Sequence, residues 1–396
     1  MTTPPDRPAA GVFLVTAQER IVFGTPAEEA VLAEAKAYGA SRVFLTSTRS
    51  LAAKQNGPLQ RLEAALGAAH AGTWAGVRAH SPREDVVTGA AAARVARADL
   101  LVAVGGGSVI DATKAMLLCL WCGLDSPEAM EPYCSGFERT RSAGLTLPAD
   151  PIRMLSISTT LSASEFTDNA GITQSATSTK QSFRHRLFAP RSIVLDPAAT
   201  LDTPDWLLYC TGIRSVDHAV ENFCSPRAHL ATEALSLQGL RLLHRALPAI
   251  KASPHELAHR LEAQIGMWQA VAASASGVPT GASHGIGYAL GATFGIAHGH
   301  TSCVMLPAVL QWNGAVNAER QRALSAAMDA PDRPAWELVK ELIAGLDQPV
   351  TLRAVGIARD NLDEIARRAL EYHPVKVNPR PIRTAGDVRE ILELAW

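Results

Sequence analysis

The sequence predicts two domains: an α/β domain over residues 1–200, built on a doubly wound parallel sheet, and an all-helical domain over residues 201–396. Three observations carry that reading. Up to about residue 200, short β-branched runs alternate with longer Ala-rich stretches. Past Pro204 the strand-like runs all but vanish, and Ala/Leu/Glu/Arg stretches follow one another. Between the two, one fully apolar run, Asp99 to Val104, leads straight into three glycines.

In chain order, Arg42 to Ser47 (RVFLTS) reads as a strand flanked by Ala-rich helical patterns at 27–38 and 59–70. Asp99 to Val104 (DLLVAV) is apolar on both faces, as a central parallel strand must be. Met154 to Ser158 and Ser192 to Leu195 are further strands, and strands separated by helices imply a parallel sheet. Thr203-Pro204 reads as a helix start, with Thr as N-cap and Pro in the first helical position. Helical stretches then run over 205–224, 228–250, 255–276, 318–328, 334–345, 361–371 and 385–395. No repeat or low-complexity linker intervenes, so the two halves are expected to pack around a shared cleft.

Composition narrows the function classes. Hydrophobic residues make up 47% and charged residues 19%, enough apolar side chain for a substantial core and too much for a disordered chain. Basic and acidic residues balance to −1, so neither nucleic acid nor an acidic membrane surface is an expected partner. The longest apolar stretch, Met116 to Cys122, falls far short of the ~18 residues of a membrane span. The first residues, MTTPPDRPAAG, read as a frayed tail rather than a secretory signal. Six cysteines form no disulfide pattern, and Cys119 and Cys122 lie in an apolar helical run, as buried small hydrophobes do. A cytoplasmic location is expected.

The candidate phosphate site follows from the glycines. A strand that ends in Gly105-Gly106-Gly107-Ser108 before a helix lets backbone N–H groups approach a pyrophosphate, and the helix dipole adds to the attraction. Ser108 is expected to cap that helix and to donate to a phosphate oxygen. The spacing is neither GxGxxG nor a P-loop, so a plain Gly-rich turn stays open. A second polar cluster, Ser158 to Glu165, also follows a strand, where the loops of a parallel sheet line a ligand crevice. Its Thr159, Thr160 and Ser164 are candidate cofactor contacts. Asp111 in the helix after the glycines and Lys180 further along complete that set.

The helical half carries a histidine constellation. Arg214 and His218 are four apart on 205–224, hence on one face; His284 and Tyr288 are also four apart, and His298 follows His284 by fourteen. Histidines on separate helices raise metal or proton chemistry.

Here a resemblance becomes specific. VAVGGGSVIDATK, STTLSASE, GIRSVDHAVE, SHGIGYALGATFGIAHGH and the closing NPRP resemble the iron-containing (group III) alcohol dehydrogenase superfamily, from Arg20 to the end of the chain. The resemblance implies a Rossmann-like NAD(P) domain, an all-α domain with a divalent metal in the cleft, and a homodimer. It implies metal ligands at four positions: an Asp, a His four later, and two His fourteen apart. Carried over, these are Arg214, His218, His284 and His298. Three match and the aspartate does not. A guanidinium cannot ligate a cation, and at ~4 Å its repulsion of a +2 ion is on the order of 8 kcal/mol at an effective dielectric near 20. If a metal binds, His218, His284 and His298 are its ligands and Arg214 has swung away.

The maleylacetate reductase branch of that superfamily is similar in lacking the aspartate and working without metal. Thr159 to Glu165, Asn378-Pro379-Arg380-Pro381 and the helix Asp387 to Trp396 match its motifs. That branch has Asn at 214, His at 288 and paired histidines near 283, so the substrate is open. The resemblance implies Ser47 near the cofactor ribose, where many relatives carry Asp, and hence NADH or NADPH. The expected reaction is hydride transfer from nicotinamide to a small unsaturated keto acid. Arg214, His218, His284 and His298 would line the cleft with positive charge, Arg214 holding a carboxylate, with an imidazolium or Tyr288 returning the proton. A metal-dependent alcohol dehydrogenase and a non-redox lyase or binding protein on the same scaffold are the alternatives.

Overall fold

The computed structural model describes residues 12–135, 147–177 and 179–396. Strands β1 (Arg20–Phe23), β2 (Val43–Thr46), β3 (His70–Trp74), β4 (Leu100–Gly105), β5 (Arg153–Ser158) and β8 (Ser192–Leu195) form a six-stranded sheet. Its order is β1-β8-β5-β4-β2-β3, every pairing parallel. Helices α1 (Ala27–Ala37), α2 (Arg49–Ala52) and α3 (Pro58–Leu66) connect the early strands, with α4 (Arg83–Val95) before β4 and α5 (Gly107–Cys122) after it. The side chains of β4 are buried along its whole length, with one core between the sheet and α1/α3 and another between the sheet and α4/α5. Both faces being covered explains why this strand is continuously apolar. An antiparallel hairpin, β6 (Asn169–Gln174) and β7 (Thr179–Arg184), leans on α5.

The β4–β5 register sets the site. Gly105 pairs with Ser158, so the glycine loop and the Ser/Thr loop leave the carboxyl edge side by side. Thr159 N–H donates to the Gly105 carbonyl at 3.1 Å and locks them together.

Past Leu195 the α-helices among the described residues are α6 (Asp205–Cys224), α7 (Leu230–Ala252), α8 (Leu257–Ser276), α9 (Ala282–Phe294), α10 (His298–Ala327), α11 (Ala335–Gly345), α12 (Leu362–Ala369), α13 (His373–Lys376) and α14 (Ala385–Ala395), joined by loops and short turns and by no strand. One core joins α6, α7, α8, α10 and α11; a second lies among α9, α10, α12 and α14. Helix α6 is bolted to the Ser/Thr loop, with Ser215 Oγ donating to Leu161 O at 2.6 Å and Leu161 N–H to Thr211 Oγ1 at 3.1 Å. Among the described residues no helix is long and apolar enough to cross a membrane.

Four expectations are corrected. The helix expected to run to residue 70 stops at Leu66, where Gly67 takes φ 49°, and His70 opens a strand. Helix 318–328 is the second half of α10, which bends at Asn317 (φ −134°). Thr203 does not cap α6: its hydroxyl donates to Thr159 O at 2.6 Å, and Asp205 is the first helical residue after Pro204. Ser108 does not cap α5 either, because the helix starts one residue earlier, at Gly107.

Candidate active site

The cofactor wall starts at Gly106. A Cβ there would stand 2.8 Å from Thr160 Cγ2, so only glycine lets the two loops meet. Gly105, Gly106 and Gly107 present backbone at the N-terminus of α5, a ready anion cradle. Ser108 Oγ accepts the His80 N–H at 3.1 Å, and Ser81 Oγ donates to Ser108 O at 2.7 Å. Asp111 Oδ2 accepts the Gly171 N–H at 3.0 Å, and its Oδ1 accepts Ser164 Oγ–H. Asp111 and Ser164 therefore brace the wall as well as line it. Thr160 Oγ1 lies 3.2 Å from Ser162 Oγ, and Thr159 is buried behind it. Beneath the wall, buried Lys114 donates to the carbonyls of Ser164 (2.7 Å) and Asn169 (2.9 Å).

Ser47 corrects the expectation of a ribose contact. It is fully buried and its hydroxyl donates to Val104 O at 2.9 Å, so it is occupied inside the sheet. Lys180 sits on β7 within reach of both walls: burial lowers its pKa, Asp111 opposes that, and Arg214 adds to it.

We expect Gly106→Val to weaken NAD(P)H binding roughly 10- to 100-fold, since overpacking typically costs about 1–3 kcal/mol and here displaces Thr160 before any ligand arrives. Titration by nucleotide fluorescence, with circular dichroism to check the fold, decides it; unchanged affinity removes the loop from the site.

The second wall is built by α6, α9 and α10. Gly299, in the first turn of α10, lies so close to α6 that a Cβ would be 2.6 Å from the Cys210 carbonyl oxygen. That approach brings His298 against Arg214. Arg214 is 5% exposed and therefore not a surface arginine. Its Nη1 donates to Ser302 Oγ at 2.9 Å, and its Nη2 lies 3.3 Å from His298 Nε2. Tyr288 stacks on His298 with ring centroids 5.6 Å apart, and the guanidinium lies 5.9 Å from the Tyr288 ring centre. His284 packs on His218 at 4.5 Å, and His218 Nδ1 lies 3.4 Å from Ser274 Oγ. Arg214, His218, His284, Tyr288 and His298 thus form one cluster.

Two acidic residues of α6, Glu221 and Asp217, complete it. Glu221 accepts His284 Nδ1 at 2.7 Å together with the Gly281 and Ser283 N–H groups at 2.8 and 2.7 Å, so it caps α9 and orients the imidazole. Asp217 Oδ2 accepts the hydroxyls of Ser283 (2.9 Å) and Ser302 (2.6 Å). Asp217 and Glu221 stand three and seven residues past Arg214, a helical spacing that would have found both.

The electrostatics correct the expected cationic lining. Burial first, then His284 and Arg214, drives His218 well below its ordinary range, and burial with Arg214 and Lys180 does the same to His298. Both are neutral near pH 7. For His284, burial and Arg214 push down, but Asp217 and Glu221 outweigh them and its pKa is raised. Asp217 is held below the usual carboxylate range, because His284 and Arg214 overcome its burial. Burial raises the Tyr288 hydroxyl, with Arg214 opposing.

A divalent metal fits this arrangement poorly. Arg214 stands where the anionic ligand is needed, and it occupies the His298 nitrogen that would coordinate. Asp217, Glu221 and His284 do bring ligand atoms within 4.8 Å of one another. Yet both Glu221 oxygens are engaged at the N-terminus of α9, and the Arg214 guanidinium is 3.8 Å from Asp217.

Comparison with known proteins agrees with this architecture. Residues 18–197 match the model of iron-containing alcohol dehydrogenases, and residues 209–396 match that of the Fe-containing alcohol dehydrogenase family C-terminal region. The chain is 30% identical over 371 residues to a maleylacetate reductase of Sphingobium indicum, covering 93% of each chain. It is 31% identical over 392 residues to the dehydrogenase ALT3 of Alternaria alternata, covering 90% of this chain and all of that one. The crystal structure of maleylacetate reductase from Agrobacterium tumefaciens superimposes with a TM-score of 0.82 at 25% identity, over 98% of both chains. In both its halves, then, the chain belongs to the iron-containing alcohol dehydrogenase family, and it is an NAD(P)-dependent oxidoreductase of the maleylacetate reductase-like branch.

Proposed function

We propose that the protein reduces a small carboxylated, unsaturated keto acid with NADH or NADPH and needs no metal to do so. The observation that carries this reading is buried Arg214, hydrogen-bonded to Ser302 and beside His298, at the position of the family's anionic ligand. The similarity to maleylacetate reductases supports the substrate class.

NAD(P)H held against the glycine loop, Gly105 to Ser108, and the neighbouring Ser/Thr loop would supply a hydride, to the β-carbon of the enone or to a carbonyl carbon. The chain's own residues do the rest. Arg214 offers a planar fork to a carboxylate or to oxygen charge that grows during transfer, a role a Lewis acid fills elsewhere. His284 carries the proton that balances the hydride. Its Nδ1 is held by Glu221, and its Nε2 has no protein partner, so the Nε2 proton is the one available to substrate. Neutral His218 and His298 shape the cleft, and Tyr288 closes it against water.

Turnover is expected to survive prolonged chelation, with elemental analysis of the active protein finding less than stoichiometric iron or zinc. The Asp217, Glu221 and His284 grouping is what favours the other reading, a metal-dependent dehydrogenase. If chelation abolishes activity and iron or zinc restores it, that second reading takes over. A screen of keto acids against simple alcohols, with both nucleotides, tests the substrate class in the same preparation.

A further inference from the structure

We infer that Asp217 is a positioning residue which, through Ser302, aims the Arg214 guanidinium into the cleft and neutralises it there. The inference rests on the reading of Arg214 as a substrate-facing group. The carboxylate that the family offers at position 214 is a cation in this chain, and a carboxylate stands three residues further along the same helix. One helical turn brings the pair together, Arg214 Nη1 lying 3.8 Å from Asp217 Oδ2.

The connection is more than proximity. Arg214 Nη1–H donates to Ser302 Oγ at 2.9 Å, and the Ser302 hydroxyl donates to Asp217 Oδ2 at 2.6 Å. Ser302 passes the interaction on in a single direction, from guanidinium to hydroxyl to carboxylate. The Ser283 hydroxyl reaches the same oxygen at 2.9 Å, and His284 Nδ1 lies 3.4 Å from it, so Asp217 also fixes the opposite wall. Asp217 is fully buried and its Oδ2 is taken up by Ser283, Ser302 and His284, so it acts through its neighbours. Among the described residues it is the carboxylate in ion-pair contact with Arg214. A buried guanidinium without a counter-charge would turn toward water or lose its fixed geometry. Asp217 prevents both, with Nη2 left facing His298 and the Tyr288 ring.

A double-mutant cycle with chemical rescue tests this. Asp217→Asn keeps the shape and removes the charge; it should lower kcat/KM for the acid substrate on the order of 10- to 100-fold, as loss of a buried charged partner does. NAD(P)H affinity should hold. In an Arg214→Ala background the same change should cost clearly less, only what its contact with His284 contributes, because the group it positions is gone. Free guanidinium should restore part of the activity of Arg214→Ala and none of that of Arg214→Ala/Asp217→Asn. Ser302→Ala leaves both charges in place and runs the same cycle should Asp217→Asn not fold. Equal losses in both backgrounds, or rescue that survives removal of the carboxylate, would overturn the role of Asp217 while leaving Arg214 in its own. Full activity in Arg214→Ala would overturn both.

Discussion

Arg214→Ala is expected to cut kcat/KM for the acid substrate on the order of 10- to 150-fold, because truncating a buried, charge-assisted contact costs about 1.5–3 kcal/mol. Nucleotide affinity should stay near that of the unaltered protein, since Arg214 projects from α6 toward His298 and Ser302 rather than toward the glycine loop. Arg214→Asp is the sharper change. It places a carboxylate one turn before His218 and beside His284 and His298, which rebuilds the family's four-ligand set. It also sets two buried carboxylates, at 214 and 217, on one helix turn, with His284 as the nearest counter-charge. The native reaction should be lost and the metal-free protein destabilised. Zinc should then bind measurably by calorimetry and raise the melting temperature, as a ligand that binds only the folded state must. If Arg214→Asp binds zinc no better than the unaltered chain, the four positions do not converge on one point. If Arg214→Ala keeps full activity, the guanidinium takes no part in the chemistry.

The fold could be read from the sequence wherever burial was uniform. Strand β4 is covered on both faces and so carries an unbroken apolar run that ends in glycines; its position was evident. Strand β3 (HAGTW) is half-buried at every position and includes two glycine or alanine residues, so it offers no pattern to read. The hairpin β6–β7 alternates too weakly for the same reason. The histidines and Arg214 were visible because helical spacing puts them on one face. Their charge states were not, because those depend on partners brought in from other helices. Glu221 meets His284 across 63 residues of sequence. Ser47 shows the opposite failure: a sequence position that matches a cofactor contact turned out to be buried and bonded to Val104, because the strand ends one residue short of it and its side chain points between β2 and β4. The turn at His80 and Ser81, with φ of 64° and 52°, carries no glycine to mark it, yet it is tied to the first turn of the phosphate-side helix through Ser108.

Glu221→Ala should be the most destabilising single change at the site. The carboxylate accepts the N–H groups of Gly281 (2.8 Å) and Ser283 (2.7 Å) at the start of α9, and His284 Nδ1 at 2.7 Å. Truncation leaves those buried donors without partners and His284 without its strongest hydrogen bond, at a cost of about 3–5 kcal/mol. For a chain of this size that corresponds to a fall in melting temperature of about 5 °C. Glu221→Gln keeps an acceptor and should fall less, which allows the charge to be examined in a folded protein. The sign follows from His284. Burial and Arg214 lower its pKa, Asp217 and Glu221 raise it further than that, and the net shift is upward. A raised imidazole contributes stability that is fully present below its unfolded pKa and is lost as pH climbs through the folded one. Removing the Glu221 charge weakens that contribution. The unaltered protein should therefore exceed Glu221→Gln in stability most at acid to neutral pH, and the gap should narrow toward alkaline pH. Activity should follow the same proton: if His284 supplies it, the alkaline limb of the kcat profile moves to lower pH in Glu221→Gln. Melting curves and initial rates across one pH series read both effects from the same samples. Superimposable pH profiles for the two proteins would show that the proton comes from another group, with Tyr288 the next to be replaced.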